Sequence, residues 1–429
     1  MFSNHFRKIL LFGGDIAVLY LSLFIALTLR YASFPSQELW NVHKWPFFFI
    51  YLGWLLIFYM AGLYDIEKII SYADLRILVF KTMAVCGTLA ILLFYLTPFF
   101  SITPKTNLIL DVLISSFLIW LWRKVIFNEA IKSSKIRVFF FGKEIKEIAD
   151  FVDFLSRRPQ LGFEISDYAG SANVIVAPMD SKYDKKIARS LYEMTLLGKT
   201  IMSFDKFYES ITGKIPVSLI NEEWFFDNLT EIEKQNFEKI KRVIDLLLAF
   251  LLFVPYVAMF PLIATAIKIN GKGFIFYRQK RVGKNGKIFK ITKFRSMIEN
   301  AEKNGAEWTK PEREDQRVTF VGNILRKTRI DELPQIWSVI KGDLSFVGPR
   351  PERPKFVKEL EQKISYYAVR HLVKPGLTGW AQINFSEAAA KDAPQKLQYD
   401  LYYIKNRSLS LEISIMLKTI AVIFRSEGK

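Results

Sequence analysis

Two adjacent carboxylates, Asp331 and Glu332, stand in the stretch "KTRIDELPQIWSVIKGDLSFVGPRPERP" (327–354). Arg326, Lys327 and Arg329 come just before them, and Arg350 and Arg353 follow in a proline-rich loop. On the fragment "TRIDELPQIW" alone, a plain helix start accounts for the residues, with Asp331 as N-cap and Pro334 in the first turn. The surrounding cations support a second reading. A helix N-terminus flanked by guanidinium groups is an anion site. An aspartate kept ionised beside a bound phosphate is what a nucleophile that forms an acyl phosphate requires. Glu332, with Asp331, could then hold magnesium, which offsets the repulsion between carboxylate and substrate phosphates. Cys86 is the single cysteine and His5, His43 and His371 are the only histidines, so a structural zinc site and an internal disulfide are both excluded. A hard ion held by carboxylates and phosphates remains.

More cations lie upstream. "KINGKGFIFYRQKRVGKNGKIFKITKFR" (268–295) holds ten Lys or Arg residues and no acid, with Phe274, Phe276, Tyr277, Phe289 and Phe294 interleaved. It reads as a nucleic-acid surface, as a face lying on anionic lipid, or as a hairpin turning at "GKNG" that presents Lys280, Arg281 and Arg295 to a phosphorylated substrate. Nothing positions a reading helix, and the stretch follows a membrane segment directly, so no nucleic-acid partner is expected.

The elements that must carry these residues begin in the membrane. The chain has 429 residues, 51% of them hydrophobic, and a formal charge of +18, with its apolar runs concentrated before residue 125. Ile9–Leu29, Pro46–Leu63, Ile77–Phe100 and Leu108–Trp122 approach the roughly 20 apolar residues that cross a bilayer. Residues 1–125 are therefore expected to form a four-helix transmembrane domain. Lys81 and Asp111, inside the third and fourth runs, point to helix packing or snorkelling rather than a transport path. Arg7 and Lys8 precede the first span, Lys68 and Arg76 separate the second and third, and Arg123, Lys124, Lys132, Lys135 and Arg137 follow the fourth, while the loop after the third span offers only Lys105. The positive-inside rule places the N-terminus and everything beyond residue 123 in the cytoplasm.

A fifth apolar run, 246–267, is introduced by Lys241, Arg242 and Asp245 and followed by Lys268 and Lys272, with Pro255 near its middle and Pro261 beyond. Basic flanks at both ends fit a re-entrant helix, 243–268, that enters the membrane, bends at Pro255 and returns. The other reading is a fifth spanning helix with a proline kink. Residues 136–220 alternate β-rich runs such as "RVFFFG" and "NVIVAP" with helical periodicity, which predicts a small Rossmann-like parallel α/β domain. Its first turn, "FFGKEIKE", has one glycine where a dinucleotide fingerprint needs three, so bound NAD is not expected. An interaction or regulatory role suits it better.

Several of these stretches together resemble a known family, the bacterial sugar transferases or monotopic phosphoglycosyl transferases. They are "KRVIDLLLAF" with its mid-helix proline, "FIFYRQKRVGKNGKIFKITKFRSM", "LRKTRIDELPQIWSVIKGDLSFVGPRPERP" and "VKPGLTGWAQIN" (373–384), in family order from about 239 to 429. The resemblance implies a largely helical catalytic domain over 239–429. It implies a reaction in which a sugar 1-phosphate passes from a UDP-sugar to polyprenyl phosphate. Asp331 matches the family's nucleophile, which attacks the β-phosphate and releases UMP, and Glu332 its magnesium-associated partner. Arg326 and Arg350 look like the phosphate-organising arginines. Lys241, Arg242 and Asp245 match the head of the re-entrant helix and Pro255 its break. The four N-terminal spans and the α/β domain look like the large subfamily, which initiates exopolysaccharide or O-antigen units at the cytoplasmic face of the bacterial inner membrane. Phe385 stands where the family pattern has glycine, which leaves the loop 385–397 without a sugar-recognition reading. Residues 408–424 read as an interfacial or packing helix. Trp308, Trp337 and Trp380 suit packing or membrane anchoring as well as a site.

Two rivals stay open. A catalytically silent membrane scaffold explains the spans but leaves the carboxylate pair and its arginines unexplained. An enzyme working through a ternary complex would use Asp331 only to position metal. The sugar and the oligomeric state are open, with the α/β domain a plausible contact between copies.

Overall fold

The computed structural model describes residues 2–65, 69, 71–96, 105–132, 135–177, 185–229, 234–299, 301, 317–385 and 392–424. Lys68, Trp308, residues 97–100 at the end of the third apolar run and residues 386–391 of the loop after Phe385 lie outside them. The chain divides into two compact units, Met1–Phe204 and Asp205–Lys429.

The first unit opens with four long helices, α1 (Phe2–Tyr31), α2 (Gln37–Ala61), α3 (Tyr72–Leu96) and α4 (Lys105–Lys132). Side chains three or four residues apart share a helix face, and this spacing builds the bundle core: Leu19, Leu23 and Leu27 of α1 meet Phe47, Trp54 and Phe58 of α2 and Val79 and Cys86 of α3. Among the described residues, Lys8–Tyr31, Gln37–Ala61 and Tyr72–Phe94 are long and apolar enough to cross a membrane, and so is Gln235–Ile269 further on. The expected fourth N-terminal span falls in α4, which is not in that set. Its buried face carries the polar residues Asn107, Asp111, Ser115, Ser116 and Arg123.

These polar groups bind one another. Asp111 accepts from Ser22 (2.6 Å) and Tyr51 (2.9 Å), and Arg123 pairs with Asp15 (2.5 Å), which also accepts from Tyr64 (2.8 Å). Asp111 is thus a packing contact between helices. Lys81 lies on the outer face of α3.

The unit continues with β1 (Ile136–Phe140), α5 (Lys146–Ser156), β2 (Phe163–Ile165), β3 (Val174–Ala177), α6 (Lys185–Leu196) and β4 (Thr200–Ser203). The strands form one sheet, ordered β2-β1-β3-β4 and parallel throughout. Helical crossovers are what parallel neighbours require.

The second unit begins with α7 (Phe204–Thr212) and α8 (Glu222–Asn228). The expected α/β domain ran to residue 220, whereas the boundary lies at Phe204. The cause is side-chain pairing: Glu209 binds Lys405 and Asn406 (2.6 Å each), and Trp380 Nε1 donates to the Gly213 carbonyl (2.8 Å).

Then follow α9 (Gln235–Ile269), the hairpin β5 (Phe276–Val282) and β6 (Ile288–Phe294), α10 (Phe320–Lys327), α11 (Ile336–Lys341), β7 (Ser345–Val347), α12 (Pro354–Lys363), β8 (Gly376–Thr378), α13 (Trp380–Asn384), α14 (Ala393–Asn406) and α15 (Leu409–Phe424). The unit is largely helical.

α9 spans 35 residues with Pro255 and Pro261 inside it. Its head is stitched to the unit by charge. Asp245 accepts from Ser345 Oγ and Phe346 N (3.1 Å each), Lys241 donates to the Val347 carbonyl (2.9 Å) and pairs with Glu412, and Arg242 caps the Val339 and Ile340 carbonyls at the end of α11 (2.6 and 2.7 Å). Its far end is also seated there, with Ile263 and Ile267 packed against Phe294 and Leu325. Between the ends, Leu251 and Val254 are 68% and 71% exposed.

Parallel β7 and β8 meet where backbone touches backbone. A Cβ on Gly376 would sit 2.1 Å from Gly348 N and 2.4 Å from the Thr378 carbonyl oxygen. Gly376→Ala is therefore expected to lower the stability of the unit by about 3 kcal/mol, read as a fall in melting temperature.

Candidate active site

The dyad is held on a short turn between two helices. Thr319 caps α10 by accepting from Gly322 N (3.0 Å), and the missing Cβ of Gly322 lets α10 lie on the Ser296 backbone. α10 ends at Lys327, and Arg329 then adopts the left-handed conformation (φ 58°), which costs a non-glycine residue about 1–2 kcal/mol. A 3-10 turn, Ile330–Gln335, carries Asp331, Glu332 and Pro334 into α11. Asp331 is therefore not the N-cap that the fragment suggested. Arg329 takes that position and offers no side-chain cap.

Glu332 Oε1 pairs with Lys293 Nζ at 2.6 Å and lies 3.5 Å from Arg350 Nη2. Burial alone would push this carboxyl up. The charges of Lys293 and then Arg350, helped by Arg329, outweigh burial and hold it down at about 2. Asp331 is buried, and its Oδ1 has no hydrogen-bond partner among the described residues. Its pKa moves the other way: desolvation raises it against the pull of Lys293, and ionised Glu332 adds to the rise. The two carboxyls differ in direction because the cations lie closest to Glu332 while burial dominates at Asp331.

Lys293 was not singled out in the sequence, although its ammonium is the cation nearest the dyad. Its signal is strand alternation. Lys293 pairs with Tyr277, and two and four residues back Ile291 and Phe289 pair with Gln279 and Arg281, all on one face. Lys280 pairs with Lys290 on the opposite face and is exposed. Lys280 and Arg281, taken together as phosphate ligands, cannot both face the dyad because neighbours on a strand point opposite ways.

Arg281 donates to the Pro351 carbonyl (3.0 Å) and faces Glu352 (3.6 Å), tying the hairpin to the proline-rich loop. Arg326 donates to Ser296 Oγ (2.8 Å), and its charge reaches Asp331. Arg353 stands at the N-terminal end of α12 with its guanidinium 5.9 Å from the Phe356 ring.

Arg295, expected among the phosphate ligands, donates to the Lys272, Ile267 and Gly271 carbonyls (2.5, 3.0 and 2.6 Å) and so caps the end of α9. Arg295→Ala is expected to cost about 2 kcal/mol of stability, a larger effect in a melting curve than in turnover per folded molecule. Lys241, Arg242, Asp245 and Pro255 all lie on α9 as anticipated, the first three in the contacts given above. Trp380 stacks on Tyr402 (5.4 Å), a packing role, while Trp337 is exposed on α11.

Among the described residues no group of three or more His, Cys, Asp or Glu could hold a metal. The two carboxylates still fit magnesium, which is commonly bound by one or two carboxylates and completed by substrate phosphates. The unpartnered Asp331 Oδ1 is a vacant acceptor of the required kind. Chemically, the site offers one reactive carboxylate, one carboxylate pinned by cations, and a set of positive charges suited to phosphate.

Residues 236–426 match the bacterial sugar transferase family. The chain is 40% identical over 221 residues to the UDP-N-acetylgalactosamine-undecaprenyl-phosphate N-acetylgalactosaminephosphotransferase of Aeromonas hydrophila, covering 51% of each chain. It is 39% identical over 184 residues to the UDP-glucose:undecaprenyl-phosphate glucose-1-phosphate transferase of Escherichia coli, covering 42% of this chain and 39% of that one. The chain thus spans about half or less of the length of these two relatives. With the exopolysaccharide production protein ExoY of Sinorhizobium fredii it shares 35% identity over 201 residues, 44% of this chain and 87% of that protein. The matched region contains α9, the hairpin, the dyad and the proline-rich loop, and on these grounds the chain belongs to the bacterial sugar transferase family.

Proposed function

We propose that this protein transfers a sugar 1-phosphate from a UDP-sugar to a polyprenyl phosphate, giving a polyprenyl diphosphosugar and UMP, with Asp331 as a covalent nucleophile. The observation that carries the reading is the Asp331 carboxylate, buried with one oxygen unpartnered beside a Glu332 already engaged by Lys293 and Arg350. In the first half-reaction an Asp331 oxygen attacks the β-phosphorus of the UDP-sugar. The bond from that phosphorus to the bridging oxygen breaks, and UMP leaves with the electron pair. In the second half-reaction an oxygen of the polyprenyl phosphate attacks the same phosphorus, and the bond to Asp331 breaks to restore the carboxylate. Each half exchanges one phosphorus–oxygen bond for another, so positioning and charge neutralisation suffice without histidine chemistry. Lys293, Arg350, Arg326 and Arg329 supply positive charge around the reacting phosphates. Burial removes water from the nucleophile and strengthens each of these interactions. Magnesium, held by Glu332 and Asp331, would neutralise diphosphate charge when bound.

α9 enters and leaves the same membrane face, which accounts for the basic residues at its two ends, for the seating of both ends on one unit and for its exposed apolar middle. The catalytic unit then lies on the cytoplasmic face of a bacterial inner membrane, where the phosphate of an isoprenoid emerges. The product begins an exopolysaccharide or O-antigen unit, the former in keeping with the name of the Sinorhizobium fredii relative. The relatives' names include both glucose and N-acetylgalactosamine donors, so identity alone does not select the sugar.

The test uses the purified full chain with magnesium and a panel of UDP-sugars. Without acceptor, the expected result is UMP equal to the amount of enzyme and a hexose-phosphate mass adduct on Asp331. Turnover should begin only when polyprenyl phosphate is added. Turnover with acceptor but no adduct would favour a ternary complex. Silence under both conditions across the panel would favour a scaffold.

A further inference from the structure

The loop 349–352 aims Arg350 at the dyad, and its backbone is held at every residue. Pro349 and Pro351 have no N–H to donate, yet four consecutive carbonyls are each engaged by a different donor. The Pro349 carbonyl accepts from Gly376 N, that of Arg350 from Arg370 Nη2, that of Pro351 from Arg281 Nη1 and that of Glu352 from Val282 N, each at 3.0 Å. These donors come from β8, from the 3-10 turn Tyr367–Leu372 and from β5. Among them, Arg370 binds the carbonyl of the residue whose side chain reaches Glu332.

Arg370 is buried, and so is its partner Asp400 on α14, with Arg370 Nη2 2.8 Å from Asp400 Oδ2. Its other terminal nitrogen donates to the Tyr367 hydroxyl. The two members of this pair are 30 residues apart in the chain, and their hydrogen bonds given above run to one another, to Tyr367 and to the Arg350 carbonyl, not to the dyad. A buried ion pair is a weak device for stability, since apolar side chains of similar volume often do as well. It is a strong device for fixing one geometry, because the guanidinium is planar and its donors have set directions. A displacement of about 1 Å in a positioned group can cost 100-fold in rate.

We propose that Arg370, held by Asp400, is a positioning residue: by fixing the Arg350 carbonyl it sets the approach of the Arg350 guanidinium to Glu332. The kinetic consequence rests on the transferase reading, while the structural one does not. Asp400→Asn keeps an oxygen acceptor and removes the charge, so it loosens the anchor with the least disturbance to packing. Arg370→Lys, which keeps charge but cannot bridge two acceptors from one plane, is the second variant.

The experiment is a double-mutant cycle on the full chain. Asp400→Asn is expected to lower kcat about 10- to 100-fold, with a smaller change in KM for the UDP-sugar. In an Arg350→Ala background, the same substitution is expected to change kcat by less than about threefold, because the group it positions is already gone. Arg370→Lys should repeat the pattern. Hydrogen exchange on the same proteins should show faster exchange confined to the amides of 345–356. Equal losses in both backgrounds would make the pair a plain structural tie and overturn the proposal, as would unchanged exchange in that segment. If the parent protein has no turnover at all, the transferase reading fails by itself, and the exchange result still decides this one.

Discussion

With Asp331 replaced by asparagine, the UMP burst and the mass adduct both vanish, and steady transfer to polyprenyl phosphate falls by about 10⁴-fold or more. The side chain keeps its size and nearly its shape, so the buried turn Ile330–Gln335 loses little packing. What it loses is an oxygen able to form and release a phosphoryl bond. The fold should suffer little, because Asp331 Oδ1 makes no hydrogen bond among the described residues that the amide would break. Its desolvation penalty also disappears, so the melting temperature should stay level or rise. A loss of less than about 100-fold, with the burst intact, would assign the nucleophile elsewhere and leave Asp331 a positioning role.

Lys293→Met is the second large effect. The ammonium sits 2.6 Å from Glu332 and is the largest lowering influence on both carboxylates. Without it, Glu332 keeps only the longer contact to Arg350 at 3.5 Å, and two neighbouring carboxylates share too little positive charge. Transfer is expected to fall about 10²- to 10³-fold, the range for removing one preorganised charge from a reaction site. Lys293→Arg should recover part of it, since guanidinium retains the charge but differs in shape and reach. Lys280→Met is the matched control. It removes an equal charge from the other face of the same hairpin and should change transfer less than about threefold, within the small effects of exposed charges. Equal losses in Lys280→Met and Lys293→Met would mean that the hairpin acts through its net charge and not through one contact.

Much of the fold was legible because it follows from short-range pattern. Apolar runs close to bilayer length and the alternation between strand and helix in the middle of the chain reappear in the observed elements. The apolar run of α4 was less legible. Its length is right, and Asp111 suggested helix packing or snorkelling, but its partners Ser22 and Tyr51, and the Asp15 that pairs with Arg123, come from other helices. The grouping of residues 205–220 with the second compact unit was likewise not legible. Nothing between 205 and 220 announces that Glu209 will bind Lys405, a residue almost 200 positions away.

In the site, the residue types alone pointed to a pair of adjacent carboxylates among arginines and to a basic hairpin upstream as a source of cations. Tertiary structure decided which cations. Arg295 left the set because three carbonyls at the end of α9 attract it, and Lys280 left because strand alternation turns it away. Lys293 entered because the same alternation turns it toward Glu332. The division of charge between the two carboxylates was also invisible in the sequence, where Asp331 and Glu332 have the same neighbours. It depends on burial and on distances of a few ångströms, and those exist only once the hairpin, the 3-10 turn and the proline-rich loop have packed against one another.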